Sequence, residues 1–133
     1  MNILLDTHIL IWSIFESNKL KNSEIEILLD QRNNIFVSVI SIWEISLKYS
    51  LGKLKLTETQ PDKIPNLIKM AGFQILNLNA EEASGFYKLN RESLSDPFDR
   101  MLVIQAIKNN LTLLTKDSKI KEYKAKDFKI LEF

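Results

Sequence analysis

Acidic residues stand in this sequence where its hydrophobic pattern asks for burial. Asp6 closes the apolar run Ile3-Leu4-Leu5, Glu44 and Asp99 fall on the apolar stripes of two expected helices, and Asp117 follows the run Leu111-Thr112-Leu113-Leu114. Isolated ionised carboxylates are rarely buried unless a positive charge compensates them. The chain has one His and no Cys, so the compensating charge that fits is a hard divalent cation held by oxygens. Those ligands point to metal-assisted phosphoryl chemistry.

A chain of 133 residues suits a single domain around one core, and nothing in it reads as a linker, a repeat or a low-complexity tract. The apolar share of 45% and the charged share of 26% are ordinary for a globular protein. No segment approaches the roughly 18 consecutive apolar residues of a membrane span. The first apolar run is cut by Asp6 before an export signal can form, so a cytoplasmic location is expected. The absence of cysteine excludes a disulfide framework and a thiolate metal site. The net charge is +1, with Lys116, Lys119, Lys121, Lys124, Lys126 and Lys129 crowded near the C-terminus, mostly as a solvated surface.

Short apolar runs alternate with helical patterns. Strands are expected over Asn2-Leu5, Ile35-Val37, Phe73-Leu76, Thr112-Leu114 and Lys129-Leu131. Helices are expected from Thr7 with Ile9, Trp12 and Phe15 inward, and from a Ser23 cap with Glu26 completing a capping box. Another runs from a Ser38 cap to Ser50, with Ile40, Trp43, Leu47 and Leu51 as its apolar stripe. Further helices are expected over Pro61-Ala71 and from Asn79 or Ala80 through Leu89. Asp96-Pro97 is a strong start for a helix to Asn109 that is apolar on nearly all sides and should be the most buried. Alternation of this kind favours an α/β fold, a parallel sheet covered on both faces. Ligands of such sheets bind beyond the carboxyl ends of strands, near the switch in strand order. Asp6 and Asp117 both lie there.

Each acid also has a plainer role. Asp6 suits the cap of the first helix, and an aspartate at that turn can serve backbone and ion together. Glu44 has a surface pair available in Lys48, worth only a few tenths of a kcal/mol, but Ile40 and Leu47 place it inward. Asp99 stands three residues after Asp96, where a capping box normally uses Glu or Gln; Leu102, Val103 and Ala106 put it at the buried end of its helix. Asp117 alone would read as a turn residue, with Thr115 available to orient it or a water. His8, a single imidazole, cannot build a zinc site and reads as structural.

Four blocks in order carry a family resemblance: Leu4-Leu5-Asp6-Thr7-His8-Ile9-Leu10-Ile11-Trp12; Ser38-Val39-Ile40-Ser41-Ile42-Trp43-Glu44-Ile45 with Leu51-Gly52-Lys53-Leu54; Asp96-Pro97-Phe98-Asp99-Arg100-Met101-Leu102; and Leu113-Leu114-Thr115-Lys116-Asp117. In these the chain resembles the PIN-domain ribonucleases, specifically the VapC-type toxins of prokaryotic toxin–antitoxin pairs. The resemblance implies a three-layer α/β/α PIN-like domain over residues 1-133 and a metal site of Asp6, Glu44, Asp99 and Asp117 that holds Mg²⁺ or Mn²⁺. It also implies RNA as substrate, products with 5′-phosphate and 3′-hydroxyl ends, a homodimer and a cognate antitoxin. The chain departs from the subgroup at Leu94, where a histidine is frequent. Lys48, Lys53, Arg100 and Lys116, the cations nearest these blocks, are the candidates for RNA-backbone contacts, with a solvated surface charge as the equal alternative for each and, for Arg100, holding a loop or meeting the antitoxin. The competing reading is a catalytically silent PIN-like module that binds protein or RNA, against which the retention of all four acids counts. An aspartyl-phosphate phosphotransferase would want an aspartate where His8 stands, and ranks last.

Overall fold

The computed structural model describes residues 1–90 and 93–132. Five strands form one all-parallel sheet: β1 (Asn2–Leu5), β2 (Asn34–Ser38), β3 (Gln74–Leu76), β4 (Thr112–Leu114) and β5 (Lys129–Ile130), in the order β3-β2-β1-β4-β5. β1 is central, with Leu4 opposite Phe36 on one side and Leu113 on the other. The chain first builds outward through β2 and β3, then returns to add β4 and β5 on the opposite side of β1. The switch in strand order therefore falls between β1 and β4, where Asp6 and Asp117 emerge.

Alternation along the strands creates two apolar layers. Ile3, Leu5, Ile35 and Val37 face one layer, with Ile9 and Leu10 of α1 (Thr7–Phe15), Ile45 of α3 (Val39–Ser50) and Ile64 and Ile68 of α4 (Ile64–Met70). The short α2 (Asn22–Leu29) adds Ile25 and Leu28 to that side. Leu4 and Leu113 face the other layer, against Leu102, Val103 and Ala106 of α6 (Pro97–Lys108). This is the three-layer α/β/α arrangement expected. Every residue of α6 from Arg100 to Ala106 is buried, which makes it the core helix its sequence described. Among the described residues no helix is long and apolar enough to cross a membrane.

Several local expectations shift. The cap of α2 is Lys21, not Ser23, and the carboxylate that reaches back to it is Glu24, at 2.7 Å from the Lys21 amide, rather than Glu26. The helix from Ala80 stops early: α5 (Ala80–Ser84) passes into a tighter 3₁₀ turn at Gly85–Lys88, leaving Tyr87 exposed. Glycine favours such a break, and Arg100 takes the carbonyls of Phe86 and Leu89. A short helix not anticipated, α7 (Ser118–Glu122), follows β4.

The largest correction concerns α3. Its inward face is Ile40, Ser41, Glu44 and Ile45, whereas Trp43, Leu47 and Leu51 of the expected stripe are 59%, 36% and 58% exposed. Glu44 is buried as expected, but beside Ser41 rather than by virtue of Leu47. Ser38 caps α3 through the Ile40 amide at 3.0 Å. Its hydroxyl also meets the buried Gln105 of α6, whose amide reaches the Asn77 carbonyl at 3.3 Å. The start of α3 is thereby tied to α6 at the carboxyl end of β2.

Candidate metal centre

Asp6 ends β1 and caps α1. Its backbone amide continues the β1–β4 ladder to the Leu114 carbonyl at 3.0 Å. One carboxylate oxygen accepts from the Thr7 amide at 2.7 Å and the other from the Thr115 hydroxyl at 2.7 Å. Burial pushes the Asp6 carboxyl above the usual carboxylate range, and the bonds from Thr115 and Thr7 oppose that rise. The Thr115 hydroxyl, expected to orient Asp117 or a water, does hold Asp117 by accepting its amide at 3.0 Å, and it also donates to Asp6, a partner the sequence did not point to. Thr115→Val is accordingly expected to strand a buried carboxylate oxygen and cost about 1–3 kcal/mol, read as an earlier denaturant midpoint than wild type at unchanged m.

Glu44 is buried yet fully engaged. Thr7 Oγ1 is hydrogen-bonded to Glu44 Oε1 at 2.7 Å and to Ser41 Oγ at 2.9 Å, so α1 and α3 join through three polar side chains. The second oxygen meets Lys48 Nζ at 2.5 Å, and that bond, with the nearby charges of Asp96 and Asp99, holds the Lys48 ammonium above its ordinary pKa. The pair with Lys48 is real, but one partner is buried, unlike the surface pair weighed from sequence. Thr7 went unnoticed in the sequence, where a threonine beside a helix cap carries no distinguishing signal.

Asp99 behaves differently. Asp96 caps α6, its Oδ1 accepting from the Phe98 and Asp99 amides at 2.8 and 3.1 Å. The Asp99 carboxylate makes no reciprocal bond to the Asp96 backbone and, among the described residues, accepts no hydrogen bond, so the capping-box role is not realised. Partial burial, with the charges of Asp96, Asp6, Glu44 and Asp117, raises its pKa to about 7. Asp117 caps α7, accepting from the Lys119 and Ile120 amides at 2.8 and 3.1 Å through one oxygen.

The four acids thus come from the ends of β1 and β4 and from two helices, and Asp99 lies near enough to Asp6, Glu44 and Asp117 for their charges to raise its pKa. Among the described residues no three His, Cys, Asp or Glu side chains stand close enough together to form a ready ligand shell. The donor set is all oxygen and one member carries a half-buried charge with no partner. That suits a hard cation which keeps several waters and takes only one or two carboxylates directly.

The candidate RNA-binding cations separate into distinct environments. Arg100 is 1% exposed and is no surface cation: its guanidinium donates to the carbonyls of Leu89, Leu94 and Asn90 at 2.8, 2.9 and 3.1 Å and stacks over Phe86 at 4.9 Å. Lys116 is tied to Glu24 at 3.0 Å, and Lys48 to Glu44. Lys53 is exposed, with no ion pair among the described residues. Leu94, the departure from the resemblance, is a core side chain whose carbonyl Arg100 holds. His8, read as structural, is exposed, its ring 6.0 Å from that of Trp12.

The PIN domain family model matches residues 3–126. Ribonuclease VapC16 of Mycobacterium tuberculosis is 36% identical over 53 residues, which are 40% of this chain and 38% of that protein, so the match spans well under half of the relative. The crystal structure of VapBC2 from Rickettsia felis bound to a promoter DNA fragment is similar in fold, at a TM-score of 0.68 and 22% identity over 98% of both chains. A toxin–antitoxin complex from Klebsiella pneumoniae is similar at a TM-score of 0.58 and 19% identity, over 96% of this chain and 99% of the other.

Proposed function

Because the chain belongs to the PIN-domain family, we propose that it is a Mg²⁺- or Mn²⁺-dependent endoribonuclease, the toxin of a toxin–antitoxin pair. The observation that carries this reading is the unpartnered Asp99 carboxylate held among Asp6, Glu44, Asp96 and Asp117. Uncompensated charge of one sign at the carboxyl ends of central strands is what a cation site for phosphoryl chemistry needs. The partial match to Ribonuclease VapC16 supports RNA as the substrate.

In this reading Asp6, Glu44, Asp99 and Asp117 hold the cation, some through water. When bound, it supplies Lewis acidity, offsetting phosphate charge and making a water a better nucleophile. The chain's own part is orientation. Thr7 and Thr115 fix both oxygens of Asp6, Thr7 and Lys48 fix Glu44, and the α7 cap fixes Asp117. Asp99, which accepts no hydrogen bond among the described residues, is the carboxylate left open to the cation and its waters.

A cognate antitoxin would cover the acidic groove, presenting Arg or Lys to these carboxylates. The exposed Trp43 and Leu47 of α3, with Leu51 at its C-cap, support a further protein surface, which we assign to a homodimer. The site of action is the cytoplasm. The purified protein is expected to cleave RNA with Mg²⁺ or Mn²⁺ and to lose that activity in EDTA. Undiminished cleavage in excess chelator, with contaminating nuclease excluded, would sink the metal mechanism.

A further inference from the structure

A cleft of about 290 Å³ runs between α1 and α3, with Thr7 and Glu44 at its inner end and His8, Trp12, Lys19, Lys48 and Lys53 among its other walls. It is therefore continuous with the acidic centre while carrying the opposite chemistry. Two of its lysines already face carboxylates: Lys48 meets Glu44, and Lys19 meets Glu16 at 3.1 Å in a pair about half exposed on both sides. Lys53 faces none among the described residues. The Trp12 ring lies within 5.9 Å of the Lys19 ammonium and 5.6 Å of the Lys116 ammonium, so cations are gathered on an aromatic surface.

Resting on the ribonuclease reading, we propose that this cleft seats an unpaired nucleotide next to the scissile phosphate, its base against Trp12 and His8 and its backbone phosphate on Lys53 and Lys19. Cationic walls with aromatic faces are the common means of holding a single strand. The exposed Lys19–Glu16 pair is worth little and yields readily to a phosphate. A base then replaces the ammonium on Trp12 as the lysine swings outward. A cleft of about 290 Å³ is far too small for an A-form helix, and single-stranded RNA splays its bases into such sites, which makes the substrate a loop, bulge or end. A basic antitoxin segment of the kind that would neutralise the carboxylates is repelled by these lysines, which favours RNA as the occupant.

The test uses full-length Trp43→Phe, Asp99→Asn protein, in which Trp12 is the sole tryptophan and cleavage is suppressed. Titration with a short fluorescein-labelled oligouridylate in Mg²⁺ is followed by label anisotropy and by Trp12 emission. Trp12 is expected to be quenched by the single strand and not by an oligouridylate–oligoadenylate duplex. Lys53→Gln is expected to lower the slope of log K against log salt by about 0.7, one phosphate contact for a single strand. No binding, binding without quenching, equal quenching by the duplex, or an unchanged slope in Lys53→Gln each overturns the proposal. So does quenching by purified antitoxin alone, which would give the cleft to a protein. Failure of the ribonuclease reading is recognised separately: the wild-type residue set would bind and quench but leave RNA uncut with either metal.

Discussion

Asp99→Asn is expected to lower metal-dependent cleavage by more than the roughly 10–100-fold that loss of an outer-shell partner costs a metal site, while leaving the metal-free fold more stable than wild type near pH 8. Both halves follow from one geometry. The Asp99 carboxyl has no hydrogen bond among the described residues, and its burial, together with the like charges of Asp96, Asp6, Glu44 and Asp117, brings its pKa to about 7. The folded protein then binds more protons than the unfolded chain between about pH 4 and pH 7, so wild-type stability falls as pH rises through that window. Burial of Asp6 pushes in the same direction. Asparagine keeps the size, removes the charge and flattens the Asp99 part of the profile. Urea denaturation of both proteins in EDTA at pH 5 and pH 8, beside an RNA cleavage assay in Mg²⁺, checks both halves. A destabilised variant that cleaves normally would return Asp99 to a purely structural role.

Arg100→Ala is expected to destabilise the domain by about 3–5 kcal/mol, the usual cost of dismantling a buried charged network, and to lower Tm by on the order of 10 °C. The guanidinium is the shared donor for four carbonyls between Phe86 and Leu94, and it packs on the Phe86 ring. Arg100→Lys should recover little, because one ammonium cannot span acceptors arranged for a planar fork. Thermal melts of the three proteins decide this. A variant melting within a few degrees of wild type would show that the chain from Phe86 to Leu94 is held by its apolar contacts instead.

Much of this was legible in the sequence because it depends on local pattern. Strand positions followed from apolar runs, the Ser38 and Asp96 caps from their side chains, and the burial of α6 from its all-round hydrophobicity. The burial of Glu44 was foreseen, but the face was misjudged. Periodicity counts Trp43, Leu47 and Leu51 as inward because they are apolar, and cannot know that Ser41 and Glu44 are drawn in by Thr7 from another helix. For Arg100 the sequence offered a loop-holding role beside an RNA contact, and only the carbonyls that hold its guanidinium in three dimensions decide between them. Thr115 binding Asp6 across 109 residues of chain is likewise beyond any local window. The acids themselves could be found because each breaks a hydrophobic pattern, whereas the groups that orient them break none.

The central position of β1 sets an order of events on the ribosome. Its first neighbour, β2, emerges early, but β4, which brings Leu114, Thr115 and Asp117 to the other side of Asp6, follows much later, with Thr115 standing 109 residues after Asp6. At about 5–20 residues per second, β1 waits several seconds with one edge open and its aspartate lacking the threonine that steadies it. The Asp6 end of a nascent chain is therefore incomplete until β4 leaves the exit tunnel, and a chain cut short before β4 exposes a bare, apolar central strand suited to aggregation or proteolysis. Premature termination before β4 yields a chain without the strand that steadies Asp6, a consequence of strand order alone.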